Sequence, residues 1–514
     1  MSCVSRLINK EILKLAIPSI LANITVPIVG MVDIAVAGHL TGEVATMIGG
    51  IAIGTMLFDL LYWNFGFLRV GTGGLTAQAF GRKDDKECAK ILTRALGISL
   101  AFAIVLISIQ WIFVKAAFLV VDCTPEVREL ASKYFYIRIW AAPATLSLMA
   151  FKGWFIGMQD SVSPMVTDFV VNGMNVLMSI VLALGIPAVS CGSPAGGASP
   201  IDIAASAGFG MMTDFHPGGA MWILRPMGFT GIALGTVVAQ YSGLLIAFIL
   251  LIGKYFRRVF VDFGLNDLKG IFTGPETRRF FVMNTDLFVR SLCFIAIYIG
   301  FTTISARYGD LLLAVSSIMM KLLMIFSYFT DGFAYAGEAL VGKYIGANDR
   351  TSLRQSIRWT FVWSMAIAVI FMGIYHFAGV PMLRMMTSDA AVVEQSKEFL
   401  PWLLLMPVIG CAAFTWDGIY IGATASKEIR NAMLWAVVAF VIVWAVPTFG
   451  IDHALMTNPK MATMQARMEA DPALAFRYDV VSMHILMAAY FAHLLARTIY
   501  LSVRYSRTIA ATRK

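Results

Sequence analysis

Charge is scarce in this sequence. Asp, Glu, Lys and Arg make up 14% of its 514 residues and hydrophobic residues 59%, against about 25% charged residues in an ordinary soluble domain. A chain so composed cannot hide its apolar residues under a soluble surface, and it reads as an integral membrane protein. Catalytic signatures are absent as well: there is no HExxH, no GxSxG and no His/Cys cluster at zinc spacing, so neither enzyme chemistry nor a metal site nor a cofactor is expected. The six cysteines are scattered and form no CxxC pair, which leaves packing as their role. Cys123 and Cys191 alone fall in segments read as external, where a bridge is open to them. The N-terminus lacks a short apolar run followed by a small-residue cleavage site, so the first hydrophobic run is expected to stay as a membrane helix. The net charge of +9 does not signal nucleic acid, because the basic residues gather between apolar runs instead of forming a stripe interleaved with aromatics.

Apolar runs of about 20 residues begin near Leu13, Thr46, Ile91, Ala131, Val162, Met227, Phe280, Leu311, Ile357, Phe399, Met433 and Val480. The fold class is therefore all-α, with about twelve transmembrane helices. Loops after alternate runs are basic: Arg82, Lys83, Lys86 and Lys90; Lys254, Arg257, Arg258, Arg278 and Arg279; Lys343, Arg350, Arg354 and Arg358; Lys427 and Arg430. Both termini carry the same bias, and the positive-inside rule places both in the cytoplasm of a cell whose inner, or plasma, membrane the chain spans.

The two halves repeat. "GGLTAQAFGRKDD" (Gly73 to Asp85) lies over "EALVGKYIGANDR" (Glu338 to Arg350) at a constant offset of 265, which pairs Gly81 with Gly346 and Asp84 with Asp349. The same offset pairs Gly157 with Gly422 and Ser161 with Ser426. Six helices is an even number, so the halves enter the membrane in the same orientation. Two pseudo-symmetric six-helix bundles related by an axis along the membrane normal are expected, an arrangement found among transporters. The boundaries read as an N-terminal lobe over 1–253 with an external insertion at 186–226, a cytoplasmic linker over 254–279, and a C-terminal lobe over 280–514 with an external loop at 457–478. Both external segments read as caps or flexible loops. Met461, Met464 and Met468 in the second are spaced like soft metal ligands, but a chain with 30 Met makes such spacing cheap. "GEALVGKY" (Gly337 to Tyr344) nearly matches a phosphate-binding loop; Tyr344 replaces the magnesium-holding Ser or Thr and no strand precedes it, which excludes ATP.

Charges inside the apolar runs carry more information, since each costs about 2.5 to 3.5 kcal/mol near the centre of a spanning helix. Asp33, Asp59, Asp286, Asp331, Glu338 and Asp417 interrupt these runs, as do Arg69, Lys152, Arg290 and Lys321. Asp286 and Arg290 are four apart on one helix, and a local structural ion pair is expected of them. Tyr328, Asp331, Tyr335 and Glu338 lie along one helix face that suits an organic cation, with cation-π attraction from the rings; helix-to-helix hydrogen bonding is the equal alternative. Asp286 and Asp417 join this face as candidate cavity residues. Asp33 has no basic residue within reach on its own helix, and Gly30 and Ala37 leave room beside it. Pro18 and Pro27 remove backbone bonds to Lys14 and Asn23, so the helix is expected to bend there. A desolvated carboxylate at that depth is expected to load and release a proton near neutral pH.

"LAIPSILANITVPIVGMVDIAVAGHL", "FLRVGTGGLTAQAFG", "YIRIWAAPATL", "TDGFAYAGEALVGKYIGA" and "WDGIYIGATASKEIRNAM" resemble the multidrug and toxic compound extrusion (MATE) family, in its DinF-like prokaryotic branch, over nearly the whole chain. The resemblance implies a secondary antiporter that exports organic cations or related amphiphiles in exchange for protons or sodium. It assigns coupling to Asp33, fifteen residues after Pro18, with Asn175 and Thr236 beside it. Family members carry an acid four residues after the Asn; here Ser179 stands in that place. A flippase for lipid-linked precursors, of related architecture, is the rival reading. It calls for a strongly basic cavity, against which the buried acids argue.

Overall fold

The computed structural model describes residues 3–38, 44–119, 121, 123–187, 222–224, 226–261, 263, 264, 267, 271, 274–387, 389–457 and 471–509. Most of the insertion at 186–226, most of the loop at 457–478, Cys191 and the three methionines of that loop lie outside the described residues. Cys123 is a free thiol.

Among the described residues, twelve helices are long and apolar enough to cross a membrane: Ser5–Ala37, Thr46–Gly81, Asp85–Ala117, Pro125–Gly157, Val162–Leu184, Phe229–Lys254, Glu276–Tyr308, Asp310–Gly346, Arg350–Met386, Leu400–Gly422, Ser426–Gly450 and Pro472–Thr508, here spans 1 to 12. Lipid offers no hydrogen bonds, so each segment closes its own backbone as helix. The large apolar residues left exposed, such as Ile104, Ile112, Leu245, Ile252 and Val446, then have hydrocarbon as their solvent. Among the described residues the strands are confined to a short antiparallel ribbon at the foot of the insertion, Ile186–Pro187 against Trp222–Leu224.

The repeat is visible in the backbone. Among the described residues four non-glycine residues have positive φ, and they form two pairs at the 265 offset: Lys83 (59°) with Asn348 (56°), and Gln159 (63°) with Thr424 (54°). Each sits in the tight turn that closes a span, where a left-handed residue reverses the chain. Asp84 and Asp349 then cap the following helices, the first accepting from the Glu87 N–H and the second from those of Thr351 and Ser352. Close approaches repeat as well. A Cβ on Gly153 would lie 2.1 Å from Arg69 O, and one on Gly418 would lie 2.1 Å from Ala334 O. Across the halves the relation is reciprocal: a Cβ on Gly81 would lie 2.0 Å from Lys343 O and one on Gly346 would lie 2.1 Å from Gln78 O. These contacts require glycine, which is why the sequence repeat is densest there.

Hydrogen bonds that cross between spans 1–6 and spans 7–12 lie from the membrane middle toward the basic loops. Asn9 accepts from Trp363, Glu11 from Lys343 and Tyr344, and Gly422 O from Gln78, while Gln159 donates to Ala339 O and Asn23 to Tyr328 O. On the opposite side Asp59 is exposed, and two hydrophobic clusters are each confined to one half. The halves are thus closed against each other on the basic-loop side. In the turn between spans 4 and 5, burial pushes the Asp160 carboxyl up, but the Ser163 hydroxyl (2.6 Å), Tyr255 (2.8 Å) and Lys254 (3.2 Å) together hold it below the usual carboxylate range. The orientation is tested by thiol labelling: cysteines at Glu126 and Arg307 are expected to react with an impermeant reagent outside the cell, and those at Asp85 and Asn348 only after permeabilisation. Equal labelling of all four would reverse the assignment.

Candidate functional site

Span 1 runs through Pro18 and Pro27 as one helix, Cys3–Gly38. The carbonyl that Pro18 deprives of its donor, Lys14 O, accepts from the Ser161 hydroxyl at 3.0 Å, so the polar group is satisfied from the turn between spans 4 and 5. Fifteen residues on, Asp33 is buried (6% exposed) and its Oδ1 accepts from Ser179 Oγ at 3.0 Å. Asn175, one turn before Ser179, donates from Nδ2 to Thr236 Oγ1 at 2.9 Å, and its own Oδ1 is buried without a donor. Spans 5 and 6 come this close because Gly231, Gly235 and Gly243 lie against Leu182, Ser179 and Val171. The four residues singled out in the sequence therefore meet in one buried polar cluster. A Cβ on Gly30 would meet nothing within 4 Å, which leaves open space one turn before Asp33.

Arg138 belongs to this site, and the sequence reading passed over it. It ends a helix at the 3-10 turn Ile139–Ala141 inside span 4. Its guanidinium donates to Tyr134 OH at 3.1 Å and lies 4.8 Å from the Phe58 ring centre, and its charge acts on both Asp33 and Asp59. An arginine in the middle of the apolar run "YIRIWAAP" was the available signal.

The second half corrects the charge pairing. Asp286 and Arg290 are not partners. Asp286 accepts from Ser426 Oγ (2.9 Å) and from Arg430, both on span 11, while Arg290 Nη2 donates to Asp417 Oδ2 on span 10 at 2.8 Å. Arg497 on span 12 donates to the same Asp417 oxygen. A spacing of four permits a local pair but does not require one, and neighbouring helices offered better-placed partners. Asp286→Ala would leave the Arg430 guanidinium without its carboxylate. The variant is expected to lose about 1–3 kcal/mol of stability, read as a lower melting temperature in detergent; an unchanged melting temperature would show that the pair contributes nothing.

The stripe on span 8 is divided between two uses. Glu338 is fully buried and pairs with Arg69 of span 2 at 3.2 Å, and the Arg69 guanidinium stands 4.4 Å from the centre of the Tyr335 ring. An internal cation occupies the place foreseen for an organic one, leaving Asp331 and Tyr328, both partly exposed. Lys152 pairs with Asp168 at 2.6 Å, and Lys321 is exposed.

Residues 18–181 and 287–446 match the MatE family model. The chain is 31% identical over 450 residues to the DNA damage-inducible protein F of Escherichia coli (strain K12), covering 87% of this chain and 88% of that one. It is 23% identical over 434 residues to the probable multidrug resistance protein NorM of Photorhabdus laumondii, covering 83% and 84%. Among solved structures, an outward-facing conformation of a multidrug resistance MATE family transporter superposes over 100% of both chains with a TM-score of 0.74 at 14% identity, a likeness of fold.

Proposed function

Since the chain belongs to the MatE family of multi-pass membrane transporters, we propose that it is a secondary active antiporter exporting organic cations and related amphiphiles across the plasma membrane. The exchanged ion is a proton, less readily sodium, and the cycle is one of alternating access. The observation that carries this reading is the Asp33 cluster: one buried carboxylate beside the neutral hydrogen-bonding groups Ser179, Asn175 and Thr236, within the field of Arg138. Of these four only the carboxylate can change its charge near neutrality. A sodium ion is better served by several oxygens and a second negative charge, whereas a proton needs one carboxylate. The contacts between halves, gathered toward the basic loops, fit the closed-inside phase of such a cycle, with the substrate path open on the other side. Asp331 and Tyr328 supply a negative charge and a ring for a cationic nitrogen.

Reconstituted protein decides it. Dye export from proteoliposomes should follow an imposed pH gradient and not a sodium gradient at constant pH. Export driven by sodium alone would assign the other ion. Movement of a pyrophosphate-linked lipid without dye export would favour the flippase.

A further inference from the structure

The charged groups of the second half are not arranged for a cation alone. Arg290 on span 7 and Arg497 on span 12 converge on a single oxygen, Asp417 Oδ2. Each guanidinium carries five N–H donors in a planar fork. Among the described residues the Nε groups of both arginines are buried without an acceptor, and Asp417 Oδ1 is buried without a donor. Arg497 is only 2% exposed, whereas the Arg290 side chain keeps 26% of its surface accessible. Asp331, partly exposed on span 8, feels the charges of Arg69, Arg290, Arg497 and Asp417. Two positive charges thus share one carboxylate, within the field of a second carboxylate that is partly exposed.

We propose that Arg290 and Arg497 form the subsite for the anionic end of a zwitterionic amphiphile, a carboxylate received by their forks while Asp331 and Tyr328 hold its cationic nitrogen. A carboxylate suits this place because its two oxygens match the spacing of guanidinium donors, and because a desolvated charge-assisted bond is stronger than a neutral one. Arg290, being partly accessible, meets the ligand first, and Asp417 acts as the internal anion that keeps the arginines paired when no ligand is bound. A triad that only fastened spans 7, 10 and 12 together would be indifferent to the charge of a ligand. This inference rests on the exporter reading, but it concerns binding and not coupling.

The test is equilibrium binding to the purified full-length protein in detergent, with no ion gradient, of two dyes: a rhodamine with a free benzoate, which is a zwitterion, and the methyl ester of the same dye, which is a cation. The free acid is expected to bind about tenfold more tightly than the ester. Arg290→Gln should erase that preference, bringing binding of the acid down to that of the ester, and Asp417→Asn, which releases both arginines from their internal partner, should widen the preference for the acid. Equal binding of acid and ester to the unaltered protein would overturn the proposal. So would variants that change both dyes alike, the mark of a purely structural triad. Because no gradient is applied, failure here leaves proton coupling standing, and failure of proton-driven transport leaves this binding result standing.

Discussion

Asp33→Asn is expected to abolish pH-driven export in proteoliposomes while the protein still inserts, folds and binds dye. Asparagine keeps the shape of the side chain and can accept the Ser179 hydroxyl on its amide oxygen, as the carboxylate does at 3.0 Å. It cannot cycle its charge. Replacing a buried carboxylate with a neutral amide also removes a desolvation cost, so the melting temperature should hold or rise. Transport and stability then separate, which a damaged fold would not allow. Ser179→Ala deletes one hydrogen bond to the carboxylate, worth about 0.5–1.5 kcal/mol, and should leave measurable transport. Ser179→Asp supplies the acid that the family resemblance leads one to expect there and places two carboxylates within one cluster. They would titrate as a coupled pair, and the pH profile of export should move and broaden. Full proton-driven export by Asp33→Asn would defeat this mechanism and move coupling to the second-half acids Asp286 and Asp417.

How far the sequence could be read depended on what kind of information each feature carried. The repeat was legible because the backbone demands it: glycines packed so closely on a neighbouring carbonyl that a Cβ would clash with it, and capping aspartates that follow left-handed turns, cannot drift without cost. The Asp33 cluster was legible because Asn175 and Ser179 lie one turn apart on a face whose neighbours are small, and because the resemblance supplied their roles. Charge partners were not legible. A buried carboxylate must find a cation, but which helix offers one depends on the rotation and crossing of spans far apart in sequence. Asp286 therefore found Arg430 and not Arg290, and Glu338 found Arg69, 269 residues away. Arg138 and Arg497 escaped notice for a related reason. A lone arginine in an apolar run carries no mark of the partner it meets until the fold shows it turned inward.

Glu338→Gln should reduce export of cationic and neutral dyes alike, the reverse of what the acidic stripe on span 8 suggests from sequence. Glu338 is fully buried and its partner Arg69 comes from the other half of the molecule, so their 3.2 Å bond joins the halves and does not line a cation site. The fit is tight: a Cβ on Gly73 would lie 2.0 Å from Glu338 Oε1. Neutralising the acid leaves the Arg69 guanidinium, only 16% exposed, without its carboxylate. Breaking a buried pair from one side costs about 3–5 kcal/mol, and that cost falls on the conformation in which the halves meet. Reversing a two-state population from 1:99 to 99:1 takes about 5.5 kcal/mol, so a loss of this size is enough to change the resting state. Spin labels at Asp85 and Asn348, in the two symmetry-related turns on the closed side, should report a longer and broader distance distribution in Glu338→Gln. Gly73→Ala should do the same by steric means. The double variant Arg69→Gln with Glu338→Gln leaves no unpaired charge and should recover part of the closed population, a coupling that a substrate contact would not produce. An unaltered distance distribution together with selective loss of cationic dyes would return Glu338 to the substrate site and leave the closure of the halves to the glycine contacts and the other hydrogen bonds between them.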